Sequence, residues 1–245
     1  MKYIKMFNEN INRSEIDAIC EKYYIKNYII NDEGSIDVDG NVDLYDKKLK
    51  VLPLKFRKVS GDFRCGHNKL TSLKGSPQSV GGDFDCSGNQ LTTLDGCPQC
   101  VGENFDCSFN QLTSLVGCLQ RVGGDFSCSY NQLTTLDGSP KRVGGIFWCY
   151  SNKLKNIDYL PKTYKKLAIN GNPISKIIKL FTTSNDYGRI SNREDKDLIM
   201  DFIDREMIQQ DILLVNRLIE FLHDVGNPKS KEELIELLKK DYEIL

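Results

Sequence analysis

The chain has 245 residues, with 33 basic against 34 acidic side chains and a net charge of −1, so no global field draws it towards nucleic acid or anionic lipid. Its nine cysteines are odd in number and spaced by a repeat rather than by a pairing scheme, which excludes a simple disulfide framework and fits reduced thiols in a cytosol. The start, MKYIKMFNEN, carries charge but no apolar stretch, and no apolar run of about 18 residues occurs further on, so a soluble, non-exported chain with no membrane contact is expected.

In chain order, Ile16, Ile19, Cys20 and Tyr23 fall at i, i+3, i+4 and i+7, which predicts an amphipathic helix over 13–24. NYIINDEGSIDVDG then reads as two short strands around Asp32-Glu33-Gly34. Helix and hairpin together, residues 1–37, are expected to cap the segment that begins at residue 38.

That segment is a repeat array. Asn68, Asn89, Asn110, Asn131 and Asn152 stand 21 residues apart, each within F-x-C-x-x-N-x-L-x-x-L/I. Val42, Leu44, Leu49 and Leu52 keep the phase upstream, with Lys47 in the asparagine slot, and Leu167, Ile169, Asn172 and Ile174 repeat the pattern downstream after a step of 20, so the array runs over 38–174. F-x-C alternates, sending Phe and Cys to one side of a strand. One such strand per repeat pairs in parallel with its neighbours, and Leu70, Leu73 and Val80 close the core behind it. Gly75, Ser76, Pro77 and the Gly81-Gly82 pair predict an extended or 3₁₀ return limb rather than a helix. Cys65, Cys86, Cys107, Cys128 and Cys149 occupy inward slots where Leu44 and Ile169 stand in the end copies, as small hydrophobes. The asparagine amides are expected to satisfy backbone groups of neighbouring turns.

Beyond the array, a polar loop at 182–193 and a helix near 194–204 are expected. Ile208, Ile212, Val215, Ile219 and Leu222 form an apolar helix stripe that Gly226-Asn227-Pro228 closes, and Ser230 with Glu233 makes a capping box for a helix over 230–242. Residues 175–245 read as a helical cap or docking module. The whole is an α/β solenoid.

The repeat resembles the leucine-rich-repeat pattern LxLxxNxL, with Phe-x-Cys in place of Leu-x-Leu. LPKTYKKLAINGNPI (160–174) is similar to the short repeat of bacterial leucine-rich-repeat proteins, including effectors of the IpaH and YopM type, and GSPKRVGGIFWCYSNKL resembles repeats of bacterial and bacteriophage proteins. The resemblance covers 38–174 and implies a scaffold in the cytoplasm of a bacterium or phage-infected host. The ubiquitin-ligase branch of the effectors would need a nucleophilic cysteine after the repeats, and 175–245 contains none.

No catalytic constellation, metal site or cofactor motif emerges. Cys97-Pro98-Gln99-Cys100 is the one C-x-x-C, lies in a return limb and has no second ligand pair. His67 and His223 belong to different modules and read as exposed surface residues. GGDFD resembles a calcium-binding nonapeptide, but the period is wrong, which leaves a weakly cation-binding aspartate column as a minor reading. The basic stretches at 47–58 and at Lys162, Lys165 and Lys166 read as solvated faces.

The open side of the strands is the expected partner surface. It carries Asp43, Asp62, Asp83, Asp85, Asp106 and Asp125, with Arg64 as the exception, and then Phe109, Tyr130, Trp148 and Tyr150. A protein partner with a basic rim is expected there, anchored by the aromatics and steered by the acids, without nucleic acid or small molecule. The rival reading is an assembly spacer whose terminal modules make the contacts.

Overall fold

The computed structural model describes residues 12–182, 189–190, 193–204, 207–209 and 212–244. Residues 1–11 of the expected N-terminal cap and most of the expected loop at 182–193 lie outside them. The molecule is a parallel-strand solenoid of about six turns at the 21-residue period, with helices at both ends.

Each turn contributes two short strands rather than the one that the sequence pattern suggests. The face sheet holds the F-x-C segments: Val42–Asp43, Phe63–Arg64, Phe84–Asp85, Phe105–Asp106, Phe126–Ser127, Ile146–Trp148 and Lys166–Ala168, all parallel, and Arg189–Ile190 closes it antiparallel. The limb sheet is built from the return path: Ile36–Val38, Phe56–Val59, Ser79–Val80, Cys100–Val101, Arg121–Val122 and Arg142–Val143, parallel throughout, with Tyr28–Ile30 added antiparallel at its start. The predicted hairpin therefore does not merely cover the array. Its second strand is the limb sheet's first parallel rung.

The core lies between the sheets. Phe63, Phe84, Phe105, Phe126 and Phe147 have no solvent exposure and stack turn upon turn at centroid distances of 5.7, 5.2, 5.4 and 5.5 Å. Val59, Val80, Val101, Val122 and Val143 meet them from the limb sheet, and the predicted leucines fill the space between. The five ladder cysteines are buried to the same degree, and burial pushes their thiols well above the ordinary range. Such thiols pack as hydrophobes and are poor nucleophiles.

The asparagine ladder performs the job expected of it. Asn110 Nδ2 donates to the carbonyls of Cys86 and Cys107 at 3.1 Å and of Ser108 at 3.2 Å, while its Oδ1 accepts from Leu91 N–H at 3.0 Å. Asn68, Asn89, Asn131, Asn152 and Asn172 repeat this, each reaching back one turn. Asn110→Ala is expected to cost about 1–3 kcal/mol, since it strands buried backbone groups without a partner. An unchanged midpoint in urea denaturation would count against that reading.

At the N-terminus α1 (Arg13–Lys22) starts with a capping box, Asn12 with Glu15, and buries Ile16 and Cys20 over the first turn. At the other end α2 (Ile174–Ile178) buries Ile174, Ile177 and Ile178 under the last turn. The terminal module adds α3 (Arg193–Asp204), α4 (Val215–Asp224) and α5 (Lys231–Leu238), the last opened by the predicted Ser230/Glu233 box. One expectation is corrected: the apolar stripe does not begin a helix at Ile208. Ile208–Gln209 and Ile212–Leu213 form a small antiparallel pair, and Glu243–Ile244 joins it in parallel. Tyr242 donates through its hydroxyl to the Lys155 carbonyl at 2.8 Å, and Lys176 pairs with Asp241 at 2.5 Å, so the module is tied to the array. No helix among the described residues is long and apolar enough to cross a membrane.

Candidate functional site

The aspartates on the face split into two groups with different backbone duties. In the first, Asp62 Oδ1 accepts from Asp83 N–H at 3.0 Å, and Asp83 Oδ1 accepts from Asn104 N–H at 3.0 Å. Asn104 Oδ1 accepts from Asp125 N–H at 2.7 Å, and Asp125 Oδ1 from Ile146 N–H at 2.8 Å. Asn41 begins the series by accepting from Asp62 N–H at 2.9 Å. The column needs an acceptor oxygen rather than a charge, which is why Asn41 and Asn104 serve as well as aspartate. That interchange is visible in the sequence and was the available signal for this second ladder.

The second group makes local turns. Asp85 Oδ1 accepts from Ser87 N–H at 2.8 Å and from its hydroxyl at 2.6 Å, and Asp106 Oδ1 accepts from Ser108 N–H at 2.8 Å. Asp43 does the same for Tyr45 N–H at 3.0 Å. Burial beneath the neighbouring turns lifts the Asp106 carboxyl above the usual carboxylate range. Arg64, the exception in this column, pairs with Asp62 at 2.9 Å. The acids other than the exposed Asp43 are thus half-buried parts of the scaffold, each with at least one oxygen committed.

The aromatics lie further along the same sheet and do come together. Phe109 and Tyr130 stack in parallel, with centroids 4.4 Å apart and planes 7° from each other. They are 56% and 49% exposed, which for stacked rings on a solvent face is a large apolar surface. Trp148 and Tyr150 meet edge to face at 5.6 Å and are half-buried, not fully open as the sequence suggested. Trp148 Nε1 donates to Asp125 Oδ2 at 3.2 Å, which fixes the indole against the acid column. Phe109, Tyr130, Trp148 and Tyr150 rim a depression of about 370 Å³ whose floor includes Asp106, Asp125, Ser127 and Ser129.

The backbone beneath the stacked pair is informative. The residue before each ladder asparagine has a left-handed conformation: His67, Gly88, Phe109, Tyr130 and Ser151 have φ of 53°, 63°, 55°, 55° and 50°. Such a slot suits glycine, as at Gly88, and bulky side chains adopt it only with strain. Every turn requires this conformation, yet two adjacent turns place large rings in it, and the rings stack outwards. Tyr159 also has a positive φ, 65°, but without a ring partner among the described residues.

The other predicted surface residues fall where expected. His67 lies against the Tyr45 ring at 4.9 Å and is exposed, and His223 is exposed on α4. Burial pushes the Cys97 thiol up to about 11, the opposite of activation, and its Sγ points to the Gly117 carbonyl at 3.2 Å. All nine cysteines are free thiols. Among the described residues no three His, Cys, Asp or Glu side chains form a group that could hold a metal ion.

Fold and face together define a parallel-strand repeat solenoid with an aromatic depression on one sheet. Comparison with protein-family models, curated proteins and solved structures finds no match to this chain.

Proposed function

We propose that the chain is a non-enzymatic binding module of the leucine-rich-repeat type, and that its aromatic depression takes a protein partner with a basic rim. The observation that carries this reading is the exposed Phe109–Tyr130 stack, held at a backbone position where glycine would be easier. Strain of that kind is retained where the side chain is used. Large rings beside half-buried Trp and Tyr have the composition of a binding hot spot. The carboxylates of Asp85, Asp106 and Asp125 supply an acidic field for the rim. The resemblance to bacterial and bacteriophage repeats points to a bacterial or phage-infected cytoplasm as the setting.

The double variant Phe109→Gly/Tyr130→Gly separates binding from folding. Glycine relieves the left-handed strain but loosens the unfolded chain, so stability is expected to stay within about 1 kcal/mol of wild type. Partner capture from bacterial lysate, read by mass spectrometry, is expected to lose a protein that wild type retains. Equal retention by both would refute the aromatic site and move attention to the terminal modules. A double variant that melts far below wild type would show instead that the rings serve the fold.

A further inference from the structure

The limb sheet carries a charge pattern that the aromatic face does not use. Its outward slot runs Lys58, Ser79, Cys100, Arg121 and Arg142 on successive turns. Near the N-terminus, charges in this sheet alternate in sign: Asp37 faces Lys58 in register and pairs with Arg57. Towards the C-terminus the pattern breaks, since Arg121 lies directly abreast of Arg142. Lys141 and Lys162 flank them, and all four side chains are exposed. Among the described residues none of the four takes part in an ion pair.

Adjacent strands lie about 4.8 Å apart, so like charges directly abreast oppose the fold. Ser79 and Cys100 occupy the same slot on earlier turns, so the solenoid itself does not call for arginine there. Arg121, Arg142 and Lys162 line an open groove of about 850 Å³ with Gln99 and Cys100, over a floor of glycine backbone.

We propose that this groove binds an acidic, extended protein segment, the two guanidinium groups forking onto its carboxylates while Lys141 and Lys162 add charge. Arginine is the residue suited to bidentate carboxylate contacts. A protein segment fits better than a nucleic acid, because no aromatic ring lines the groove to stack a base. The site shares no residue with the aromatic depression and stands independently of the function proposed for it.

The test is fluorescence anisotropy with labelled decaglutamate on the full chain at low salt. Binding that weakens as salt rises is expected, and Arg121→Ser/Arg142→Ser is expected to weaken it about tenfold. Serine is native to this slot, so the variant's thermal midpoint is expected to hold or rise as the repulsion is removed. Phe109→Gly/Tyr130→Gly is expected to leave decaglutamate binding unchanged, which keeps the two sites distinguishable. Absence of binding, equal binding by wild type and the double arginine variant, or tighter binding of a single-stranded deoxythymidine decamer overturns the proposal.

Discussion

The protein is expected to lose stability steeply above about pH 9, because its five ladder thiols are held neutral by complete burial. Below that pH the thiols are protonated in both the folded and the unfolded chain, and they make no difference between the two states. Above it the unfolded chain releases protons from cysteines whose ordinary value is 9.0, while the folded chain keeps them. The unfolded state then binds fewer protons, so stability falls as pH rises, and goes on falling until the raised folded value is reached. The loss is about 1.4 kcal/mol per thiol for each pH unit, and five thiols titrating together make the transition steep. Tyr164, pushed up to about 12 chiefly by burial, adds to the same trend at higher pH. Urea denaturation followed by circular dichroism in a reducing buffer measures this directly. Stability that stays flat between about pH 8 and about pH 11 would show that the ladder is not buried as a unit. Replacing the five cysteines with valine is expected to flatten the alkaline slope.

The second large effect is expected from one methyl group. At the corner between the two sheets, a Cβ on Gly123 would lie 1.9 Å from the Gly102 carbonyl oxygen, and one on Gly144 would lie 1.9 Å from that of Gly123. Both obstacles are backbone, with no flexible side chain to give way. Gly123→Ala therefore forces two turns apart, against rungs such as Gly124 N–H to the Glu103 carbonyl at 2.8 Å. A loss of about 3 kcal/mol is expected, near the upper end for overpacking. Because each turn touches only its neighbours, the damage is expected to divide the array, so that urea unfolding becomes biphasic. A single transition at the wild-type midpoint would show that the corner can expand, and that its glycines are not there for space.

The corner glycines, the asparagines and the F-x-C segments were legible because each turn solves the same local problem with the same residue types. The limb sheet was harder to read. A strand such as Ser79–Val80 has one inward apolar residue, too few to show an alternation. The stripe from Ile208 to Leu222 has helical spacing, but its first part pairs as strands because Glu243–Ile244, distant in sequence, supplies a parallel partner. No periodicity within the stripe could reveal that.

The candidate surface divides in the same way. The period, the inward identity of Phe, Cys and Leu, and the set of residues sharing the open face follow from the order of amino acids alone, since a fixed period of 21 puts equivalent positions in register. The contacts those face residues make depend on how the turns stack. Stacking brings Asp62 within hydrogen-bond reach of the next turn's backbone, folds the Trp148 indole onto Asp125, and sets Phe109 against Tyr130 and Arg121 beside Arg142. The physical reason is distance: residues remote along the chain become neighbours across about 4.8 Å, and at that separation pairing, stacking or repulsion replaces solvation as the governing interaction.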